Sequence, residues 1–264
     1  MNKKRSTILL LLTSLIVFPL LTGCFGVGED DPFISLRTRK ARMVGEWDID
    51  TYKKDVIQNV DDIERIKVVT TVEGEDYEMV KTWLGTERDT VIEAEVLNYA
   101  ITFDKNGYFD YIFEYEIRVD IVDEETFETT SITETIKDEM SGTWNFLGRI
   151  DDYSNKERLS LVILNETNTH ITVTQVTSDD EEEEPEESTD REVTVSRYAN
   201  GEMSTIWEIN MLKYKEIDLY QDINSVNVET GTSPENGTFT YTEVGYQQQG
   251  LIRTGNDADA APDE

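Results

Sequence analysis

The stretch that most limits the fold is residues 108–122, YFDYIFEYEIRVDIV. Tyr111, Phe113, Tyr115, Ile117, Val119 and Ile121 alternate with Glu114, Glu116, Arg118 and Asp120. Side chains of an extended chain point to opposite faces in turn, so this segment has one apolar and one charged face. That is the pattern of an antiparallel strand, dry on one side and wet on the other. Residues 45–51 repeat it, with Trp47, Ile49 and Thr51 opposed to Glu46, Asp48 and Asp50. Further strand-like runs fall at 66–72, 79–84, 97–103, 129–136, 142–147, 159–164, 171–176, 192–198, 204–212, 216–220 and 238–246. Between two of them stands Asp104-Lys105-Asn106-Gly107, whose Asn-Gly pair is a strong hairpin signal. Asp104 and Asn106 do not read as calcium ligands, because the twelve-residue loop with its terminal Glu is missing. Four Trp, nine Phe and twelve Tyr supply a core. Many short strands with almost no long helical pattern predict an all-β, antiparallel fold, and closure into a barrel would remove the sheet's exposed edges.

Three segments depart from this pattern. Asp31-Pro32 reads as a helix start, with Phe33, Leu36 and Met43 near helical spacing. Arg37, Arg39, Lys40 and Arg42 crowd its far end, where cations suit the helix dipole or could meet lipid headgroup phosphates. Residues 179–190 hold nine carboxylates around Pro185. A run of that kind cannot bury itself and predicts an acidic loop over 177–191. Residues 247–264 read as a frayed acidic tail.

The chain opens with basic Asn2-Lys3-Lys4-Arg5, then an apolar run over 8–21, then small Thr22 and Gly23 before Cys24. This is signal-peptide grammar, too short for an ordinary membrane-spanning helix. Leu21-Thr22-Gly23-Cys24 resembles the lipobox of bacterial lipoproteins. The resemblance implies cleavage after residue 23, diacylglycerol on the Cys24 thiol and membrane attachment through acyl chains, each buried methylene adding about 0.8 kcal/mol. Residues 24–31 then form a tether. Its Glu29-Asp30-Asp31 is similar to the surface-export signal of lipoproteins in Bacteroidota, which implies an outer-membrane protein displayed at the cell surface rather than on the periplasmic face. Removal of residues 1–23 takes away Lys3, Lys4 and Arg5 and no carboxylate, moving the formal charge from −32 to −35 over the remaining 241 residues. So acidic a surface repels phosphates and excludes nucleic acid as a partner. Cys24 is the sole cysteine, so no disulfide can form within the chain.

Gly45-Glu46-Trp47 after a short helix resembles the opening motif of lipocalins. Ile101-Thr102-Phe103-Asp104-Lys105-Asn106-Gly107-Tyr108-Phe109, Gly142-Thr143-Trp144-Asn145-Phe146, Tyr153-Ser154-Asn155-Lys156-Glu157-Arg158 and Trp207-Glu208-Ile209-Asn210-Met211-Leu212-Lys213 follow in the order seen in lipocalin-like lipoproteins of Bacteroidota. The resemblance covers residues 32–246. It implies a lipocalin-like barrel of about eight to ten strands, carrying the short N-terminal helix and the acidic insertion. It also implies a barrel mouth able to take a small or apolar ligand, and a basic residue stacked over Trp47, for which Lys213, Lys215 and Arg253 all compete. Trp47, Tyr111, Phe113, Tyr115 and Trp207 are the interior candidates, as core packing or as ligand contacts.

His170 is the single histidine, which excludes histidine triads and multi-histidine metal sites. No catalytic residue, metal or cofactor is expected. Two roles remain: a non-enzymatic ligand-binding module, or an accessory subunit of an outer-membrane assembly docking through its barrel surface or acidic loop. A cavity beyond about 300 Å³ would favour the first and a filled barrel the second.

Overall fold

The computed structural model describes residues 38–60, 64–86, 88–122, 128–147, 157–177, 186–199, 201–230 and 238–254. Cys24, its tether and the Asp31-Pro32 helix start lie outside these residues. One short helix, α1 (Arg39–Met43), precedes eleven strands. They are β1 (Gly45–Val60), β2 (Glu64–Glu73), β3 (Asp76–Trp83), β4 (Asp89–Phe103), β5 (Tyr108–Val122) and β6 (Thr129–Leu147), followed by β7 (Glu157–Thr177), β8 (Glu186–Arg197), β9 (Met203–Leu212), β10 (Glu216–Thr230) and β11 (Thr238–Arg253). Every ladder is antiparallel, and ten of the strands close a lipocalin-like barrel with β8 attached outside the ring.

The registers make the two ends unequal. At one end Gly45, Glu46, Trp47 and Asp48 of β1 pair directly with β4, giving an eight-strand ring of β1, β4, β5, β6, β7, β9, β10 and β11. Farther along, the β2–β3 hairpin wedges between β1 and β4. On the far wall β7 exchanges partners along one edge, pairing with β9 over 157–163 and with β8 over 165–176. Among the described residues no ladder joins β8 to β10 there, so the wide end carries a seam. Eight strands enclose just enough room for side chains to fill, and more strands leave space. The narrow end is accordingly solid, with Met43, Trp47, Phe103, Leu159, Ile209, Leu212, Ile217 and Leu251 all almost fully buried. Side chains of this size each contribute about 1.5–3 kcal/mol when withdrawn from water.

Both Gly-x-Trp motifs belong to this end. Gly45 has φ +141°, and a Cβ there would stand 2.4 Å from Arg253 Nη1. At Gly142 a Cβ would lie 1.9 Å from the Val162 carbonyl oxygen, where a bulge shifts the β6–β7 register. The tryptophans that follow donate indole N–H bonds to Met43 O (Trp47, 2.8 Å) and to Asp104 O (Trp144, 3.2 Å). The Asp104–Gly107 turn joins β4 to β5 as expected. The Asp104 carboxylate accepts from Tyr108 N (2.7 Å) and Asn106 N (2.8 Å), bonds that hold its pKa below the usual carboxylate value.

Arg253 is the basic residue over Trp47, its Cζ 4.4 Å from the indole ring and 4.7 Å from the Tyr214 ring. Its guanidinium donates to Tyr214 O (2.7 Å), Val44 O (2.9 Å) and Arg42 O. Helix α1 closes the same end, capped by Thr38, whose hydroxyl accepts from Ala41 N at 3.2 Å. Arg42 donates to Leu212 O, and Arg39 pairs with Glu157. Both arginines are buried, so they seal the barrel floor instead of presenting charge to phosphates; Lys40 alone of the three described cations on α1 is exposed.

Four sequence expectations need correction. Residues 247–253 are the second half of β11, not tail, and Leu251 is 1% exposed. A Gln-rich segment reads as polar linker, yet Gln247 and Gln249 face hydroxyl and amide partners inside the barrel, while Gln248 is exposed and donates to the Asp218 carboxylate. Residues 186–190 are strand, not loop, because β7 runs unbroken to Thr177 and offers them a ladder; residues 179–185 lie outside the described set. The runs 159–164 and 171–176 are one strand, β7. The apolar face of β5 is not dry throughout: Val119 and Ile121, 47% and 53% exposed, lie beyond the filled core where the barrel has widened.

Candidate functional site

Where the ring widens, the interior holds a cavity of about 280 Å³. Room for about nine waters at liquid density admits a ligand smaller than a typical drug. Its apolar floor and wall come from Ile101, Phe109, Leu161, Ile163 and Met140, on β4, β5, β6 and β7. Register places these residues together: Trp144, the first filled layer below, pairs with Leu161, while Met140 pairs with Tyr111 one layer above. Of the interior candidates from sequence, Tyr111, Phe113 and Trp207 line the cavity. Trp47 does not; it lies in the solid narrow end beneath Arg253. Tyr115 stands one step nearer the rim, stacked on Tyr77 with ring centroids 4.9 Å apart.

Tyr52 and Tyr99 complete the aromatic wall and were not singled out in the sequence. Tyr99 packs 4.3 Å from Phe113, and its ring meets Tyr52 and Tyr111 edge-on at 6.1 and 5.9 Å. Burial is the chief reason that the hydroxyls of Tyr52, Tyr77, Tyr99, Tyr111 and Tyr115 are all pushed above the ordinary tyrosine pKa. They therefore stay neutral hydrogen-bonding groups at any physiological pH.

A polar seam runs down the β9–β10–β11–β1 side. Tyr52 Oη donates to Gln247 Oε1 (3.0 Å), Gln247 Nε2 donates to Gln221 Oε1 (2.6 Å), and Thr205 Oγ1 donates to the same oxygen (3.0 Å). Gln249 Nε2 donates to Tyr99 Oη at 3.2 Å. Gln247 and Gln249 lie in the segment that reads as tail, so no strand signal pointed to them; the signal available was Gly250-Leu251-Ile252-Arg253, an apolar pair before a cation.

Above the cavity the inner face turns acidic. Asp138 on β6 sits directly across from Phe113, and Glu166 on β7 directly across from Met140. Burial first, and the Glu166 charge second, raise the Asp138 carboxyl above its ordinary pKa. Glu166 accepts from Tyr198 Oη at 2.6 Å. His170, exposed in β7, lies 3.9 Å from Glu134 across the strand pair. Across the barrel, Lys54 on β1 is paired with Glu243 at 2.8 Å. Among the described residues no three His, Cys, Asp or Glu side chains are grouped to hold a metal ion.

A second depression, about 380 Å³, lies on the outer wall beside the Ser141/Gly142 bulge, between Ala100, Ile112, Glu139, Asn165 and Thr167. It is open to solvent and separated from the interior by the sheet. Searches of protein-family models, of curated proteins and of solved structures find no match for this chain.

Proposed function

We propose that this protein is a lipid-anchored lipoprotein of the outer membrane whose barrel binds a small ligand, without catalysis. The observation that carries the ligand reading is the cavity of about 280 Å³ inside a ring otherwise filled by side chains; it stops just short of the about 300 Å³ expected of a small-molecule pocket, which confines the reading to a small ligand. A barrel serving only as a scaffold gains stability by filling such space, since a cavity costs packing energy. Apolar walls with a few converging hydroxyls and amides are what small-molecule sites share. The anchor rests on Leu21-Thr22-Gly23-Cys24, and the same motif with Glu29-Asp30-Asp31 favours the outer membrane's external face.

Two measurements test this. Native mass spectrometry after gentle detergent extraction should show a stoichiometric small molecule that is absent from an Ile163→Trp variant, whose indole would occupy the cavity. An empty wild-type barrel that also binds no small molecule on titration would refute the reading. Labelled palmitate should enter the wild type and not Cys24→Ser; equal incorporation, or none in either, would refute the anchor. The alternative, an accessory subunit of an outer-membrane assembly, draws support from exposed Val193 and Val195 on β8, on the same outer face as Thr167 and the depression there. A single membrane protein recovered with it in fixed ratio would favour that role.

A further inference from the structure

The chemistry around the cavity narrows the class of ligand, granted that the cavity binds one. Tyr99, Phe113, Tyr111 and Tyr52 present ring faces and edges to it, with neighbouring centroids 4.3–6.1 Å apart. An aromatic face attracts a cation within about 6 Å of its centroid, and more strongly when water is excluded. Asp138 sits on the inner face opposite Phe113, half-buried, and among the described residues no cation pairs with it. A carboxylate held beside aromatic rings without a counter-ion is costly. The inner-face lysine nearest the cavity, Lys54, is already neutralised by Glu243. Lys81 stands nearer the rim, opposite Val68 and Thr90. Glu166, beside Asp138, adds a second negative charge. The chain as a whole carries a formal charge of −32, which concentrates cations at its surface.

We infer that the ligand is a small organic cation, an ammonium whose charge faces Asp138 and the ring faces of Tyr99 and Phe113 while its apolar part rests on Leu161, Ile163 and Met140. The tyrosine hydroxyls and the Gln249 amide supply hydrogen bonds to any polar group it carries. Burial, and then the Glu166 charge, raise the Asp138 carboxyl pKa, and a positive charge bound beside it would offset both.

The test uses two pairs of probes matched in shape: choline with 3,3-dimethylbutan-1-ol, and 2-phenylethylamine with 2-phenylethanol. Binding to the full-length protein is followed by NMR shifts and calorimetric titration, with Ile163→Trp, whose indole fills the cavity, as the control that should not bind. Each cation should bind about tenfold or more tightly than its neutral partner, a difference of about 1.4 kcal/mol. Asp138→Asn should remove that advantage, and a cooperative melting transition followed by circular dichroism shows that the variant is folded. Equal binding within each pair, or tighter binding of the alcohols, overturns the inference and leaves the ligand-binding reading intact. Cation binding unaffected by Asp138→Asn overturns the assigned counter-ion. No binding by any of the four overturns the inference; the broader ligand-binding reading falls with it only if native mass spectrometry also finds the wild-type barrel empty.

Discussion

Arg253 is the side chain on which the narrow end most depends, and its replacement gives a quantitative test. It makes three charge-assisted hydrogen bonds to carbonyls of Val44, Tyr214 and Arg42, and it lies over two aromatic rings, Trp47 and Tyr214. Hydrogen bonds to charged groups contribute about 1.5–3 kcal/mol each when intact. The two ring contacts add about 0.5–2 kcal/mol each. These terms share one side chain and are not additive, and the freed carbonyls recover some water, so Arg253→Ala should cost about 3–5 kcal/mol. Arg253→Lys keeps the charge but loses the planar fork, and should cost about 2 kcal/mol. For a domain of this size about 1 kcal/mol moves the melting temperature by about 2–4 °C. Thermal unfolding followed by circular dichroism should therefore show a drop of about 10–15 °C for Arg253→Ala and about half that for Arg253→Lys. Melting of Arg253→Ala within 2 °C of the wild type would refute the assignment of the stacked base to Arg253.

Three other outcomes are expected. Deleting residues 247–264 removes the half of β11 that pairs with Trp47 and Ile49 on one side and Ile217 and Leu219 on the other, so the product should lose its cooperative unfolding transition; a normal transition would return that segment to the status of tail. Gly142→Ala forces a methyl group against the Val162 carbonyl and should cost about 3 kcal/mol or more, measured by urea unfolding. Asp138→Asn should stabilise the empty protein at pH 7. The folded pKa of Asp138 is raised, so its ionisation opposes folding above that pKa, and the advantage of Asn should fade as pH falls through the raised value toward the unfolded one near 3.9. Equal stability of the two proteins at pH 7 would contradict the burial of that carboxyl.

The barrel was legible because β5 announces its two faces residue by residue, and because Asp104–Gly107 and the two Gly-x-Trp motifs punctuate the chain. The candidate site was legible only in part. Tyr111, Phe113 and Trp207 share an apolar face in the sequence, but nothing along the chain separates them from Trp47, which packs in the floor. That division comes from strand count around the ring, a property of long-range register. Gln247 and Gln249 were hidden for a related reason: polar residues mark an outward face only where the inside is full. Here the widening barrel leaves room for hydroxyl and amide partners, and a Gln-rich strand can line it. Arg39 and Arg42 read in the sequence as cations suited to the helix dipole or to headgroup phosphates, and nothing along the chain showed that their carbonyl and carboxylate contacts lie within the fold.

The floor sealed by α1 is also the doorway through which the polypeptide arrives from its amino-terminal side. Fifteen residues of β5, inclined as barrel strands are, carry the rim on the order of 40 Å from that doorway. The fourteen residue-to-residue steps from Cys24 to Thr38 span at most about 50 Å when fully extended. Were the chain moored at Cys24 as proposed, the mooring would join the barrel at its closed floor and leave the wide rim at the opposite end clear of the point of attachment.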